Sequence, residues 1–276
     1  MQLLGQGAVS TAKFTGVKLR DLLIAAGLTD PIAAQQDLGI EHVRFYAIDG
    51  MTASIDIEKA TSPYGDCIVA YEMNDEPLPR DHGFPLRVVV PGYAAVRHVK
   101  WLNCIELSET EAEGVWQRGL NYRPLPPGVT DASTVDLEKT PGISELSLYS
   151  GITEINRTSS SESINSGDRV NVKVGGWAYG GGGRNVIRVD VTGDNGMTWS
   201  TATLKEGSQQ RFRHAWAWVF WECDVPAVVN EDGSVHVASK AVDMAFNVQP
   251  ESNIHMWNVR GLGNNSWFRA HTKVLD

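Results

Sequence analysis

The strongest constraint on this chain is a change of hydrophobic period partway along it. Up to about residue 107, short apolar runs read as strands: Val43-Arg44-Phe45-Tyr46-Ala47-Ile48, Cys67-Ile68-Val69-Ala70-Tyr71, Leu86-Arg87-Val88-Val89-Val90 and Val99-Lys100-Trp101-Leu102. Pro77, Pro79, Pro85 and Pro91 punctuate them. In the same stretch Leu19, Leu22, Leu23 and Ala26 recur at helical spacing, and Gly27 follows where a left-handed cap belongs, so an amphipathic helix is predicted over 17–26. After about residue 145 the period is two. Val170-Asn171-Val172-Lys173-Val174 and Ile187-Arg188-Val189-Asp190-Val191 alternate, the turn signal Asp194-Asn195-Gly196 follows, and Met197-Thr198-Trp199 reads as a return run. Trp216–Trp221 and Val235–Ala238 add further strands. Short strands with turns about every 8–12 residues and no helix argue for a β-sandwich of immunoglobulin-like size.

A chain of 276 residues has room for two ordinary domains. Between 108 and 144 the periodicity fades around Pro124-Leu125-Pro126-Pro127-Gly128, which predicts a long ordered connection. The 33 acidic and 24 basic residues leave a formal charge of −9, which argues against a broad electrostatic grip on nucleic acid or anionic lipid. Any anionic ligand must therefore be held by local basic groups. Cys67, Cys104 and Cys223 are far apart and form no CxxC pair, so they read as three buried thiols rather than as a disulfide framework or zinc site. No run of about 18 apolar residues is present, so no membrane-spanning helix is predicted. The opening Met1-Gln2-Leu3-Leu4-Gly5-Gln6-Gly7 is neither a signal h-region nor a transit peptide, and the chain enters folded-looking sequence abruptly, which suggests missing sequence upstream. Gly180-Gly181-Gly182-Gly183-Arg184 lacks the Lys-Ser/Thr of a phosphate loop and reads as a turn. Asn156-Arg157-Thr158 and Asn264-Asn265-Ser266 match a glycosylation pattern that is frequent by chance.

The densest chemistry lies in Pro79-Arg80-Asp81-His82-Gly83-Phe84-Pro85-Leu86-Arg87 and Arg97-His98-Val99-Lys100-Trp101. These runs flank an apolar strand and place donors at loop ends, where charge-assisted hydrogen bonds would hold an anion. Composition alone reads the same residues as a solvated basic edge.

The run from Ala70-Tyr71-Glu72-Met73-Asn74 through Pro91-Gly92, followed by Arg97–Leu102, resembles the molybdopterin-binding domain of the sulfite oxidase family. Gly7-Ala8-Val9-Ser10-Thr11-Ala12 and Gly16-Val17-Lys18-Leu19 add to that likeness. Gly176-Trp177-Ala178-Tyr179-Gly180, Ala215-Trp216-Ala217-Trp218, Lys240-Ala241-Val242-Asp243, Asn247-Val248-Gln249-Pro250 and Trp257-Asn258-Val259-Arg260-Gly261 resemble the family's immunoglobulin-like dimerisation domain. The resemblance implies a mixed α+β, incomplete molybdopterin-binding domain over 1–107, a connection over 108–144 bearing a pocket tyrosine, and an all-β sandwich over 145–276 through which a homodimer forms. It also implies the molybdenum cofactor, with Asp49, His82, Arg87, His98, Val99 and Lys100 as its contacts. For His82, Arg87 and Lys100 the cofactor reading then displaces that of a surface edge.

Two residues carry over to the reaction. Tyr122, in Trp116-Gln117-Arg118-Gly119-Leu120-Asn121-Tyr122, resembles the family tyrosine whose phenol sits beside the substrate, with one extra residue between it and Trp116. Arg260 resembles the arginine that the second domain sends into the substrate pocket, where a guanidinium offers planar, bidentate donors to a sulfur oxyanion. Related nitrate reductases carry methionine there, so Arg260 favours sulfite over nitrate. The implied activity is oxidation of sulfite to sulfate with oxygen from water, the electrons passing to an acceptor such as a cytochrome.

The family's cysteine metal ligand lies upstream of the Gly7 segment, Leu4 stands where the family has a pocket tryptophan, and no b-type haem domain is read. The expectation is thus no metal ligand in this chain and little activity from it alone. The alternatives are an inactive truncated paralogue serving as a dimerising structural or interaction subunit, a nitrate reductase-like molybdenum enzyme and, more remotely, an immunoglobulin-like adhesion module. Family members occur in the mitochondrial intermembrane space or, in plants, in peroxisomes, and Lys273-Val274-Leu275-Asp276 is not a Ser-Lys-Leu signal.

Overall fold

The computed structural model describes residues 6–157 and 165–274, so Leu4, Thr158 of the first glycosylation pattern and the last two residues lie outside the described residues. The chain forms two compact units. One comprises Ala12–Leu146 with Met256–Gly263, and the other Ser147–His255 with the segment up to Thr11 and the chain from Asn264 onward.

The first unit is mixed α+β. It runs β1 (Phe14–Lys18), α1 (Leu19–Ala25), α2 (Pro31–Leu38), β2 (His42–Ala47), β3 (Thr52–Asp56), α3 (Ile57–Thr61), β4 (Ile68–Met73), β5 (Glu76–Pro77), β6 (Arg87–Val89), β7 (Leu102–Ser108) and α4 (Val115–Arg118). In one sheet β4 pairs with β1, β5 and β6; the other has the order β3-β2-β7. On β2, Val43, Phe45 and Ala47 are buried while their neighbours are half-exposed, the alternation of a strand with one face on a core. That core joins these residues to Leu19, Leu23, Ile55, Ile57, Val88 and Val90.

Three local expectations change here. The first helix starts at Leu19 because Val17 belongs to β1, opposite Val69. The helix α2 escaped the periodicity reading, since only Ala34 of its eight residues is buried. Its end signals were nevertheless written in the sequence: the Asp30 side chain accepts from the Ile32 and Ala33 amides, Pro31 opens the helix and Gly39 closes it in the left-handed region. The strand predicted at Val99 begins only at Leu102, because Trp101 has a φ of +52° and cannot continue a ladder.

The second unit is a β-sandwich. Its strands are β8 (Tyr149–Arg157), β9 (Arg169–Tyr179), β10 (Val186–Thr192), β11 (Ser200–Thr201), β12 (Thr203–Leu204), β13 (Val219–Val228), β14 (Ser234–Asp243) and β15 (Phe268–Lys273). They form two sheets of order β11-β10-β14-β15 and β12-β13-β9-β8. Val172, Val174, Val189, Val191, Val225 and Val237 meet Trp221 between them. Gly176 is required by close approach: a Cβ there would lie 2.0 Å from the Gly151 carbonyl oxygen and 2.5 Å from the Trp221 ring. Asn195 and Gly196 both have positive φ in the turn after β10, as the Asp-Asn-Gly signal predicts, although the return strand starts at Ser200 rather than Met197.

The thiols are not all buried. Cys67 and Cys223 are, but Cys104 is exposed, because it lies opposite Tyr46 on the outer strand β7. Burial pushes the Cys67 thiol up to about 12 and that of Cys223 to about 11, which keeps both protonated.

Candidate active site

The sequence cluster at 79–101 folds into one patch at the ends of β6 and β7. After β5 the chain makes a 3₁₀ turn over Arg80–His82 and then bends at Gly83 with φ +111°. A Cβ at Gly83 would lie 3.0 Å from both the Arg87 and Lys100 Cβ atoms, so glycine is needed both for the turn and for the close seating of these two cations. The two arms flanking β6 are stitched together, Val88 N donating to Val99 O and Leu102 N to Leu86 O, each at 2.8 Å.

The structure therefore brings His82, Arg87, His98, Val99 and Lys100 together. Arg87 donates through Nη1 to His82 O at 3.1 Å and through Nη2 to His98 O at 3.5 Å, and its guanidinium lies 5.1 Å from the centre of the Phe14 ring. Lys100 Nζ donates to Asp81 O at 2.8 Å and sits 4.5 Å over Trp101, whose indole N–H donates to Arg80 O. His98 directs Nε2 at Tyr93 O, 3.3 Å away. Burial lowers its pKa to about 4, with the Arg87 charge adding to the effect, so the ring is neutral near pH 7. Asp49 joins the patch through its neighbour: Ile48 N donates to Trp101 O, while the Asp49 carboxylate accepts the Met51 amide. His82 and Asp49 are exposed, and Val99 is buried.

Tyr122 lies in the packed connection that follows β7. It ends a 3₁₀ turn over Leu120–Tyr122, its ring edge-on to Trp116 at 6.3 Å. The loop 256–263 folds as part of this same unit, organised by buried Asn258, which accepts the Arg260 and Leu262 amides and donates to the carbonyls of Met256 and Leu262. Arg260 itself is exposed, with Nη2 3.5 Å from Asn121 Oδ1, next to Tyr122 in sequence. Nothing in the spacing of 121 and 260 foretells that contact.

Sequence reasoning missed the residues that bind the connection to the patch. Arg97, adjacent to His98, donates to Gln117 Oε1 and Ile143 O, and Asp56 accepts from the Tyr93 phenol behind His98. Arg97 read as part of an exposed basic edge because sequence shows charge but not burial.

A family model described as an oxidoreductase molybdopterin binding domain matches residues 2–116, and one described as a Mo-co oxidoreductase dimerisation domain matches residues 141–275. Human mitochondrial sulfite oxidase is 42% identical over 276 residues, covering 97% of this chain and 47% of its own length. Sulfite oxidase of Arabidopsis thaliana is 37% identical over 277 residues, covering 95% of this chain and 67% of its own. NADH nitrate reductase 2 of Phaseolus vulgaris is 34% identical over 295 residues, 98% of this chain and 31% of its own. The chain thus spans about half the length of its curated animal relatives. The sulfane dehydrogenase SoxCD of Paracoccus pantotrophus shares the fold, with a TM-score of 0.68 at 23% identity over 99% of this chain and 64% of that one.

The patch fits the anionic pterin group that the first match implies. Arg80, Arg87 and Lys100 gather positive charge in a chain of net charge −9, and Arg87 Nε is a buried donor with no hydrogen-bond partner. Among the described residues no group of three or more His, Cys, Asp or Glu side chains is arranged to hold a metal ion directly.

Proposed function

Because this chain belongs to the sulfite oxidase family of molybdopterin oxidoreductases, we propose that the protein it comes from oxidises sulfite to sulfate and works as a homodimer joined through the 145–276 sandwich. When bound, the molybdenum cofactor supplies the two-electron oxidation and oxygen transfer. The residues of this chain bind and position. Arg87 and Lys100 neutralise the cofactor's phosphate, His82 offers ring donors, Val99 contributes backbone groups and Asp49 accepts from pterin N–H groups. Neutral His98 adds no second charge next to Arg87, whose Nε is the donor left without a partner for the anion. At the substrate end, Arg260 binds the sulfite oxyanion through its fork of N–H groups, and the Tyr122 phenol orients it by hydrogen bonding.

The observation that carries this reading is the position of Arg260 within the first unit, 3.5 Å from Asn121, the residue that precedes Tyr122 in the chain. A cation there suits a doubly charged oxyanion better than singly charged nitrate, so sulfite is the preferred substrate. The names of the animal relatives support a mitochondrial compartment, and a cytochrome is the expected electron acceptor.

The test is Arg260→Met in the full-length protein. Sulfite KM is expected to rise at least about tenfold, the loss of one charge-assisted contact, with cofactor content unchanged. An unchanged KM removes Arg260 from the substrate pocket, and nitrate turnover equal to sulfite turnover overturns the substrate assignment.

A further inference from the structure

Arg97 is an arginine only 1% exposed, in a fold whose other cations near the cofactor patch reach solvent. Burying a guanidinium is costly unless its donors are met, and apolar residues of similar volume often serve stability as well or better. The partners of Arg97 therefore indicate its use. Nη1 donates to Gln117 Oε1 in α4, and Nη2 donates at 3.1 Å to Ile143 O. Ile143 in turn donates its amide to Tyr122 O at 2.8 Å. Gln117 Oε1 also accepts the Ser54 amide of β3, and Gln117 Nε2 donates to Glu111. Arg123, likewise 1% exposed, donates to Glu111 at 2.5 Å and to Gln117 O at 3.2 Å. Burial would raise the Glu111 carboxyl, but the hydrogen bonds from Gln117 and Arg123 outweigh it and hold the group ionised.

The network spans two places that sequence keeps apart. At one end Arg97 immediately precedes His98, Val99 and Lys100; at the other, Gln117, Arg123 and Ile143 bracket Tyr122 on both sides. We propose that Arg97 is a positioning residue that locks the Tyr122 segment to the cofactor-binding strand end, setting where the phenol stands relative to the cofactor. The planar fork explains why arginine is used: it reaches two separate segments from one rigid group, which an ammonium does not. This inference rests on the proposed role of Tyr122 and is tested so that the two can fail separately.

Arg97→Met and Arg97→Lys are made in the full-length protein and followed by amide hydrogen exchange, cofactor content and sulfite kinetics. In Arg97→Met, exchange at the amides of Gln117, Arg123 and Ile143 is expected to speed up about tenfold or more, while that at Val88 and Leu102 is unchanged. Turnover is expected to fall by at least about tenfold, with cofactor content within about twofold of wild type, because the cofactor-binding groups are intact and the phenol that orients sulfite has moved. Arg97→Lys should recover part of both effects, and it carries the test alone if the methionine variant does not accumulate. Unchanged exchange at the three amides overturns the proposal, as does cofactor content that falls in step with turnover. If exchange changes as expected but Tyr122→Phe turns over like wild type, the positioning role stands and the role given to Tyr122 is lost.

Discussion

Protonating His98 is expected to cost the first unit about 3 kcal/mol of stability, and the size follows from where the ring sits. Burial is the main influence and the Arg87 charge the second; together they outweigh the ring's hydrogen bond to Tyr93 O and lower the pKa from 6.5 to about 4. At about 1.36 kcal/mol per unit, that gap is about 3 kcal/mol. The sign follows from proton counting. Between pH 6.5 and 4 the unfolded chain binds a proton at this site that the folded chain does not, so stability falls as the pH is lowered through the window and levels off below it. The assay has two parts. The His98 imidazole resonance, assigned with His98→Gln, should titrate near pH 4. Urea unfolding of wild type and His98→Gln at about pH 7, 6, 5 and 4 should give a difference in stability that shrinks or reverses by about 3 kcal/mol on acidification, because carboxylates such as Glu111 titrate in both proteins and cancel. A His98 resonance titrating near 6.5, or stability curves that stay parallel, would refute the buried, Arg87-facing ring as the cause.

Gly83→Ala should destabilise the first unit by about 1–2 kcal/mol for the positive φ, with more from crowding of Arg87 and Lys100, and should reduce cofactor content; unfolding and pterin fluorescence measure the two. Trp221→Ala should cost the sandwich about 3–5 kcal/mol, whereas Trp221→Phe should cost far less because it also removes a buried indole N–H that has no partner, a contrast read by thermal unfolding. In native protein at mildly alkaline pH, a thiol reagent should label Cys104 quickly and Cys67 and Cys223 only after unfolding, as peptide mapping would show.

Much of the organisation is legible in the residues because it rests on local periodicity. Alternation along 170–174 and 187–191 is the pleat of β9 and β10 written in side chains, and Asp194-Asn195-Gly196 names its own turn through the φ values it tolerates. The cation-rich patch is visible for the same reason: Arg80–Arg87 and Arg97–Trp101 are two short arms on either side of β6, and strand pairing joins them. Other features had no local signature. The helix α2 buries one residue and shows itself only through its caps.

What the sequence determined by itself was the change of period, the two fold classes and the chemical character of the cation-rich loops, all properties of neighbours in the chain. Tertiary structure alone decided that Arg97 is buried whereas Arg260 is exposed, that Cys104 faces outward, and that 256–263 folds with residues from the first half. Burial and long-range contact depend on which distant backbone covers a side chain, and that is not a property of the residues adjoining it.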